Sequence, residues 1–284
     1  MPRPRAARDD LPQAEEDPGS DRSFIQGLAK GLAVIQTFND TAQAMTLSQV
    51  SEKTGLSRAA VRRVLMTLEK LGFALKQDER YFALTPRVLS LGYAYLSSMP
   101  LWVFAEPILE TLVEDVRETC SLSVLDDTDA VYVLRIPIHR ILNQGVTVGS
   151  RLPAYCCSHG RVLLSGLTPA QLDSYFRRAR FTRYTDDTVV DRRALEGILS
   201  SVLKKGYAWA SGEMQASISG LSVPVQDADG HVIAAVNISV NRANQSEGAF
   251  VKANLPMLKR AAARLNSSLV IGQSRQRRAR KPRQ

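Results

Sequence analysis

Between Ala154 and Arg161 the chain reads AYCCSHGR, which sets two thiols, a seryl hydroxyl and an imidazole side by side. Three chemistries compete for this stretch. In an anion pocket, Ser158 and Gly160 at a helix start would offer a hydroxyl and backbone N–H groups, helped by the positive end of the helix. Tyr155 and His159 would add polar contacts in an apolar cavity, and Arg135 or Arg140, which flank Ile136–His139, would clamp a carboxylate with a two-donor fork. In a thiol enzyme, His159 would lower the pKa of Cys156 or Cys157 to make a nucleophile. Neighbours in sequence rarely aim at one another, however, no orienting Asp or Asn can be assigned, and the only histidines are 139, 159 and 231. In a metal site the same thiols and imidazole would be ligands, but the C-x-x-C spacing of structural zinc sites is missing. The reading therefore expects a pocket, with no enzyme activity, no metal and no cofactor, and treats the cysteines themselves as small buried hydrophobes.

A second constellation is Arg58, Arg62 and Arg63 in SRAAVRRVLMTLEKLGF. With Val61, Leu65 and Leu68 facing inward, Arg58 and Arg62 are an i, i+4 pair on the outer face, Arg63 lies beside them, and small Ala59 allows close approach to a surface. Arginines at the start of a recognition helix can bond guanine edges in the major groove or hold phosphates. Lys76 and Arg80 flank a polar turn that would touch the DNA backbone. A merely solvated helix face explains the arginines alone. It does not explain their agreement with the capping and turn signals around them.

Those signals define the elements that must carry the arginines. Ile25, Leu28, Leu32, Ile35 and Phe38 recur at helical spacing. Thr46 opens a capping box with Gln49, Gly55 closes that helix, Ser57 caps the next, and Leu71–Gly72 stops it. FALKQDERYFAL reads as a β-hairpin. Helix, helix, turn, helix and hairpin within residues 23–85 is the order of a winged helix-turn-helix, preceded by a flexible arm at 1–22. A linker helix follows at 86–99, where Val88, Leu91 and Tyr95 could share a face. Residues 100–272 then alternate helices with strand pairs, including a hairpin turned by Asp227–Gly230, and predict an α+β domain on an antiparallel sheet. Residues 273–284 form a basic tail that either adds phosphate contacts or is a solvated extension. Trp102 and Trp209 are expected in the core or at an interface.

Composition agrees. The chain has 284 residues, 44% hydrophobic, and a formal charge of +9. Eight Lys/Arg face five Asp/Glu in residues 23–85, and six basic residues face no acid in 274–284, whereas 101–273 is nearly balanced at 18 to 17. No run is long and apolar enough for a membrane span, and three cysteines make no disulfide framework, so a cytoplasmic protein is expected.

SFIQGLAKGLAVIQTFN, the LSQVSEKTGLSRAAVRRVLMTLEKLGF core, YFALTPRVLSLGYAYLSS, VTVGSRLPAYCCSHGRVLLSGL and GYAWASGEMQASISGLSVPVQDADGHVIAAVNISV resemble the IclR family of bacterial transcriptional regulators. RIPIHRIL followed by GSRLPAYC most resembles its branch controlling protocatechuate, 4-hydroxybenzoate and β-ketoadipate catabolism. The resemblance implies a GAF-like effector domain and a pocket lined by Leu152, Ser158, His159, Ala210, Gly220, Asn237 and Ser239. It implies dimers formed through the DNA-binding domain and linker helix, and often dimers of dimers. Two departures stand out: the usual acidic pair after Gly-Tyr-Ala is Ala210–Ser211, with Glu213 kept, and Ser217-Ile218-Ser219 replaces Gly-Leu-Arg. The expected function is a homodimeric or homotetrameric regulator that reads a palindromic double-stranded operator, responds to a small aromatic or keto acid, and contacts RNA polymerase. The alternatives are a regulator whose second domain serves only assembly and, more remotely, a thiol enzyme.

Overall fold

The computed structural model describes residues 23–39, 42–98, 100–138, 146–241 and 246–279. Arg140 and the 1–22 arm lie outside them. The chain divides into two compact units between Leu96 and Ser97.

The first unit contains α1 (Gln26–Gln36), β1 (Ala44–Thr46), α2 (Leu47–Thr54), α3 (Arg58–Lys70), β2 (Ala74–Gln77) and β3 (Tyr81–Leu84). The Thr46 hydroxyl accepts the Gln49 amide while the Gln49 side chain accepts the Thr46 amide, which completes the capping box of α2. Gly55, at φ +71°, ends that helix in a left-handed conformation that a Cβ would strain. Ser57 caps α3 through the Ala60 amide. Val61 and Leu65 on α3 are fully buried with Val34, Met45, Val50 and Phe82. The expected wing is present, and β1 pairs with β3 to make it a three-stranded sheet in the order β1-β3-β2. The first helix departs from expectation: Ile25, Leu28 and Leu32 are exposed, and Val34 is its buried residue.

A 3-10 turn at Pro86–Val88 leads into α4 (Leu89–Ser98), so the linker starts tighter than an α-helix. Leu91 and Tyr95, expected to share a face, are exposed, as are Leu89 and Tyr93 on the other faces.

The second unit holds α5 (Pro100–Val116), β4 (Thr119–Asp126), β5 (Asp129–Ile136), β6 (Arg151–Pro153), α6 (Ser158–Ser165), α7 (Pro169–Arg178), α8 (Arg192–Lys205), β7 (Ala208–Ser211), β8 (Ile218–Gln226), β9 (Val232–Asn241) and α9 (Glu247–Ala279). The strands form one antiparallel sheet in the order β6-β5-β4-β9-β8-β7. Helices α5 and α9 pack on one face and α6, backed by α8, on the other. Period-two alternation sorts the residues. Leu122, Val223, Val236 and Ile238 point to one face, and Ser121, Ser123, Ser222 and Asn237 point to the other, yet all are buried. The basic segment is not wholly a tail beyond the last helix, because α9 continues to Ala279. Its Gln, Ser, Arg and Ala residues contain no proline before Pro282 and propagate a helix readily.

Helix α6 sits unusually low on the turn that precedes it. A Cβ on Gly160 would lie 2.2 Å from the Ala154 carbonyl oxygen. Gly160→Ala is therefore expected to destabilise the second unit by about 3 kcal/mol in urea denaturation, with the first unit's transition unchanged.

Candidate nucleic-acid interface and effector pocket

In the first unit, Arg58, Ala59, Arg62 and Arg63 are exposed along α3, opposite the buried Val61, Leu65 and Leu68. None of the three guanidinium groups pairs with a carboxylate among the described residues. Ser57 and Thr46 spend their hydroxyls on caps, which hold the helix starts in place. Lys76 on β2 and Arg80 in the wing turn are exposed too. The tip between them carries Asp78 and Glu79, both at positive φ. The sequence reading missed Arg87, which donates to the Leu71 carbonyl (2.8 Å) and lies over the Phe73 ring. It ties the end of α3 to the start of the linker.

In the second unit, a polar seam runs between α6 and the sheet, centred on the side-chain amide of Asn237. Its Oδ1 accepts from Ser158 Oγ (3.1 Å) and Ser222 Oγ (3.2 Å). Its Nδ2 donates to Ser239 Oγ (2.8 Å) and Ser121 Oγ (3.4 Å). Ser222 Oγ also lies 2.8 Å from Ser158 Oγ. Gly220 makes this possible, since a Cβ there would stand 2.5 Å from Ser158 Oγ. Ser158, Gly220, Asn237 and Ser239 thus lie together, and Ala210 lies beside Gly220 in the β7–β8 register. Ser121 and Ser222 complete the group. They were legible only as alternate residues of strands, since nothing in sequence marks which strands are neighbours.

His159 and Leu152 border the same layer. The His159 ring sits 4.9 Å from that of Tyr132, and Leu152 packs in the cluster containing Tyr132 and Ala235. Burial pushes the His159 pKa down to about 3, so the imidazole is neutral. Arg135 and Tyr132 share this face because of a bulge opposite Leu122/Ser123: Ser121 pairs with Arg135 and Ser123 with Tyr132. Without the extra residue one of the two would turn to the opposite face. Arg135 is half-buried, and burial lowers its pKa while Tyr132 opposes the shift.

Tyr155 is a correction to the expected pocket. Its hydroxyl donates to the Thr182 carbonyl (2.6 Å) and accepts the Thr182 amide (2.7 Å). Its ring packs with Phe181, Tyr175 and Leu195 in a separate core cluster. The thiols are equally removed from chemistry. Burial pushes Cys157 up to about 12 and Cys156 well above its ordinary value. Cys156 Sγ contacts the Pro153 carbonyl and the Met214 sulfur. The two thiols and His159 do not converge as ligands either. Among the described residues the group that brings three potential metal ligands together is half-buried Asp227 with exposed Asp229 and His231 at the hairpin turn. There Asp227 already accepts the Asp229 and His231 amides.

Glu213, the retained acid, is bound to Arg161 at 2.7 Å, with both side chains buried. Arg161 also donates to the Tyr155 carbonyl, and the Val189 amide donates to Glu213. This pair clamps α6 to the loop after β7. Beside it on β7 and β8, Ser211 and Ser219 hydrogen-bond each other at 2.8 Å. Trp209 leans on Phe250, a structural role.

A capped helix with outward arginines and a wing defines a helix-turn-helix DNA-binding unit, and it is joined to a separate sheet domain with a buried polar seam. The profile of the IclR helix-turn-helix domain matches residues 27–78, and that of the bacterial transcriptional regulator IclR C-terminal domain matches 93–267. The chain belongs to the IclR family. It is 39% identical over 230 residues to the Pca regulon regulatory protein of Pseudomonas putida, covering 80% of this chain and 79% of that one. It is 35% identical over 249 residues to the p-hydroxybenzoate hydroxylase transcriptional activator of Acinetobacter baylyi, covering 86% and 92%. An IclR homologue from Microbacterium hydrocarbonoxydans, solved with 4-hydroxybenzoate, superposes with a TM-score of 0.75 at 26% identity, covering 86% of this chain and 99% of that one. No helix among the described residues is long and apolar enough to cross a membrane.

Two outcomes follow for the second unit. Arg161→Leu alone should cost about 3–5 kcal/mol by stranding buried Glu213, whereas Arg161→Met with Glu213→Leu should recover most of that loss in the same denaturation assay. His159 binds a proton near its ordinary 6.5 when unfolded but only near 3 when folded. Below about pH 6.5 the unfolded state therefore holds more protons, and this contribution falls as pH drops towards 3, by up to about 1.4 kcal/mol per pH unit. His159→Phe should flatten the slope of stability against pH in that window relative to the parent.

Proposed function

We propose that this IclR-family regulator is an effector-responsive, homo-oligomeric transcription factor that reads a palindromic operator through α3 and senses a small carboxylic acid in the α6–sheet seam. The observation that carries the DNA half is the set of outward guanidinium groups on a helix capped at Ser57 and anchored by buried Val61 and Leu65. Arg58 and Arg62 are assigned to base edges, and Arg63, Lys76 and Arg80 to phosphates.

The sensory half rests on hydrogen-bond accounting. Asn237 spends its two N–H donors on Ser121 and Ser239, so the protons of those hydroxyls are left to donate elsewhere. Donors gathered beside half-buried Arg135 suit a carboxylate. That relatives regulate aromatic catabolism, and that one homologue was solved with 4-hydroxybenzoate, supports an aromatic acid. Exposed Ile25, Leu28 and Leu32 on α1, and Leu89, Tyr93 and Tyr95 on α4, are the kind of surface a second copy would cover. A twofold dimer then places two recognition helices on two half-sites. Contact with RNA polymerase belongs to the same reading. Buried, neutral thiols supply no nucleophile, and no catalytic role is assigned.

A second reading, an effector-independent regulator, draws on the replacement of the family's charged groups by the Ser211–Ser219 pair. Thermal shift with a panel of aromatic and keto acids separates the two, because an effector raises the transition temperature of the second unit and an assembly domain stays still. For the DNA half, a duplex enriched from a random-sequence pool should lose binding to Arg58→Ala/Arg62→Ala in a mobility-shift assay at fixed salt, with the fold intact. Arg63→Ala should instead weaken binding across sequences and lower the salt slope by about one. Unchanged affinity in the double variant would remove α3 as the reader.

A further inference from the structure

The end of α3 is bound to the start of the linker through three successive backbone carbonyls. At the helix stop, the Gly72 amide donates to the Glu69 carbonyl and the Phe73 amide to that of Leu68, with Gly72 at φ +78°. This Schellman pattern meets two of the orphan carbonyls and leaves those after it to other donors. The Leu71 carbonyl accepts from Arg87 Nη1 (2.8 Å), the Gly72 carbonyl from Thr85 Oγ1 (2.6 Å) and the Phe73 carbonyl from the Thr85 amide (2.9 Å). The Arg87 guanidinium also lies over the Phe73 ring, 5.5 Å from its centroid, and a cation at a helix C-terminus complements the helix dipole. Past this junction, residues 89–95 and Ser97 of α4 are all exposed. Packing within the first unit therefore does little to aim α4, and its direction is set at its first turn. Thr85 fixes where the linker begins, at the foot of the hairpin. Arg87 reaches back from inside the 3-10 turn at Pro86–Val88 and so fixes its angle.

Resting on the twofold reading of an operator given above, we propose that Arg87 sets the spacing of the two half-sites that a dimer accepts. In that reading α4 offers Leu89 and Tyr93 to the second copy, and α3 offers its arginines to DNA. The angle between the two helices then decides how far apart, and at what rotation, the paired recognition helices stand. Two extra base pairs between half-sites move them apart by about 7 Å and turn one against the other by about a fifth of a turn. To follow them, each protomer must swing α3 against α4 and give up the hydrogen bond from Arg87 to Leu71. Arg87 is thus a positioning residue. It adds nothing to the reading of one half-site and selects which pair of half-sites is read together.

The test is a mobility-shift titration of the full-length protein on duplexes derived from a sequence enriched from a random pool. The half-sites stand at the selected spacing, or two base pairs further apart, or one of them is scrambled. The parent is compared with Arg87→Met, which keeps a chain over Phe73 without the donor, and with Arg87→Lys, which keeps a charged donor. The parent should prefer the selected spacing. In Arg87→Met that preference should fall by about tenfold, the effect of one net hydrogen bond on each of two protomers. Arg87→Lys should keep part of the preference, and all three proteins should bind the single half-site equally, with one salt dependence. Should Arg87→Met fail to fold, Thr85→Val, which removes the hydroxyl bond to Gly72, decides in the same way. An unchanged spacing preference overturns the proposal. So does weaker binding of Arg87→Met to the single half-site with a lower salt slope, which marks Arg87 as a phosphate contact. If the parent itself shows no spacing preference, the twofold reading fails and the proposal falls with it.

Discussion

The side-chain amide of Asn237 is the point on which the second unit turns. It sits in the middle strand region of a sheet buried on both faces, where an unpaired amide would cost more than the domain gains from several apolar contacts. Four seryl oxygens around it, contributed by β4, α6, β8 and its own strand, meet both lone pairs and both N–H groups. Satisfying that one group fixes the height of α6 above the sheet and requires a glycine at 220. The Arg161–Glu213 pair ties the same helix to the loop after β7. A buried ion pair of this kind is poor evidence for extra stability, but it does dictate where α6 must lie.

The first unit solves a different problem. Its charges must stay outside, so its order comes from backbone caps and a small apolar core. Thr46, Gly55 and Ser57 set the ends of two short helices, and Val61, Leu65 and Leu68 leave α3 one rotational choice. With that choice made, Arg58, Arg62 and Arg63 have no inward alternative. The wing is stiffened by β1, which borrows the outer edge of β3.

The departures from the family pattern become intelligible in this frame. The retained acid, Glu213, serves architecture, because its carboxylate is occupied by Arg161 and the Val189 amide. On β7 and β8, Ser211 and Ser219 form a neutral hydroxyl pair. On β5 a bulge brings Arg135 and Tyr132 onto one face. The adjacent thiols, conspicuous in sequence, are packing groups whose burial keeps them protonated.

Local signals determined what depends on near neighbours. The capping box at Thr46–Gln49, the left-handed Gly55, the Ser57 cap, the wing and the Asp227–Gly230 hairpin are interactions within a few residues, and hydrophobic spacing orients α3 unaided. The same reasoning failed where burial depends on distant partners. Ile25, Leu28 and Leu32 have helical spacing yet face outward, and Tyr155, beside the seam in sequence, turns into another core. Strand pairing brings Ser121, Ser222 and Asn237 together across more than a hundred residues, and one extra residue in β5 reverses the face of a side chain. Neither event leaves a local trace, because a strand's alternation shows that it has two faces and says nothing of what will lie against each.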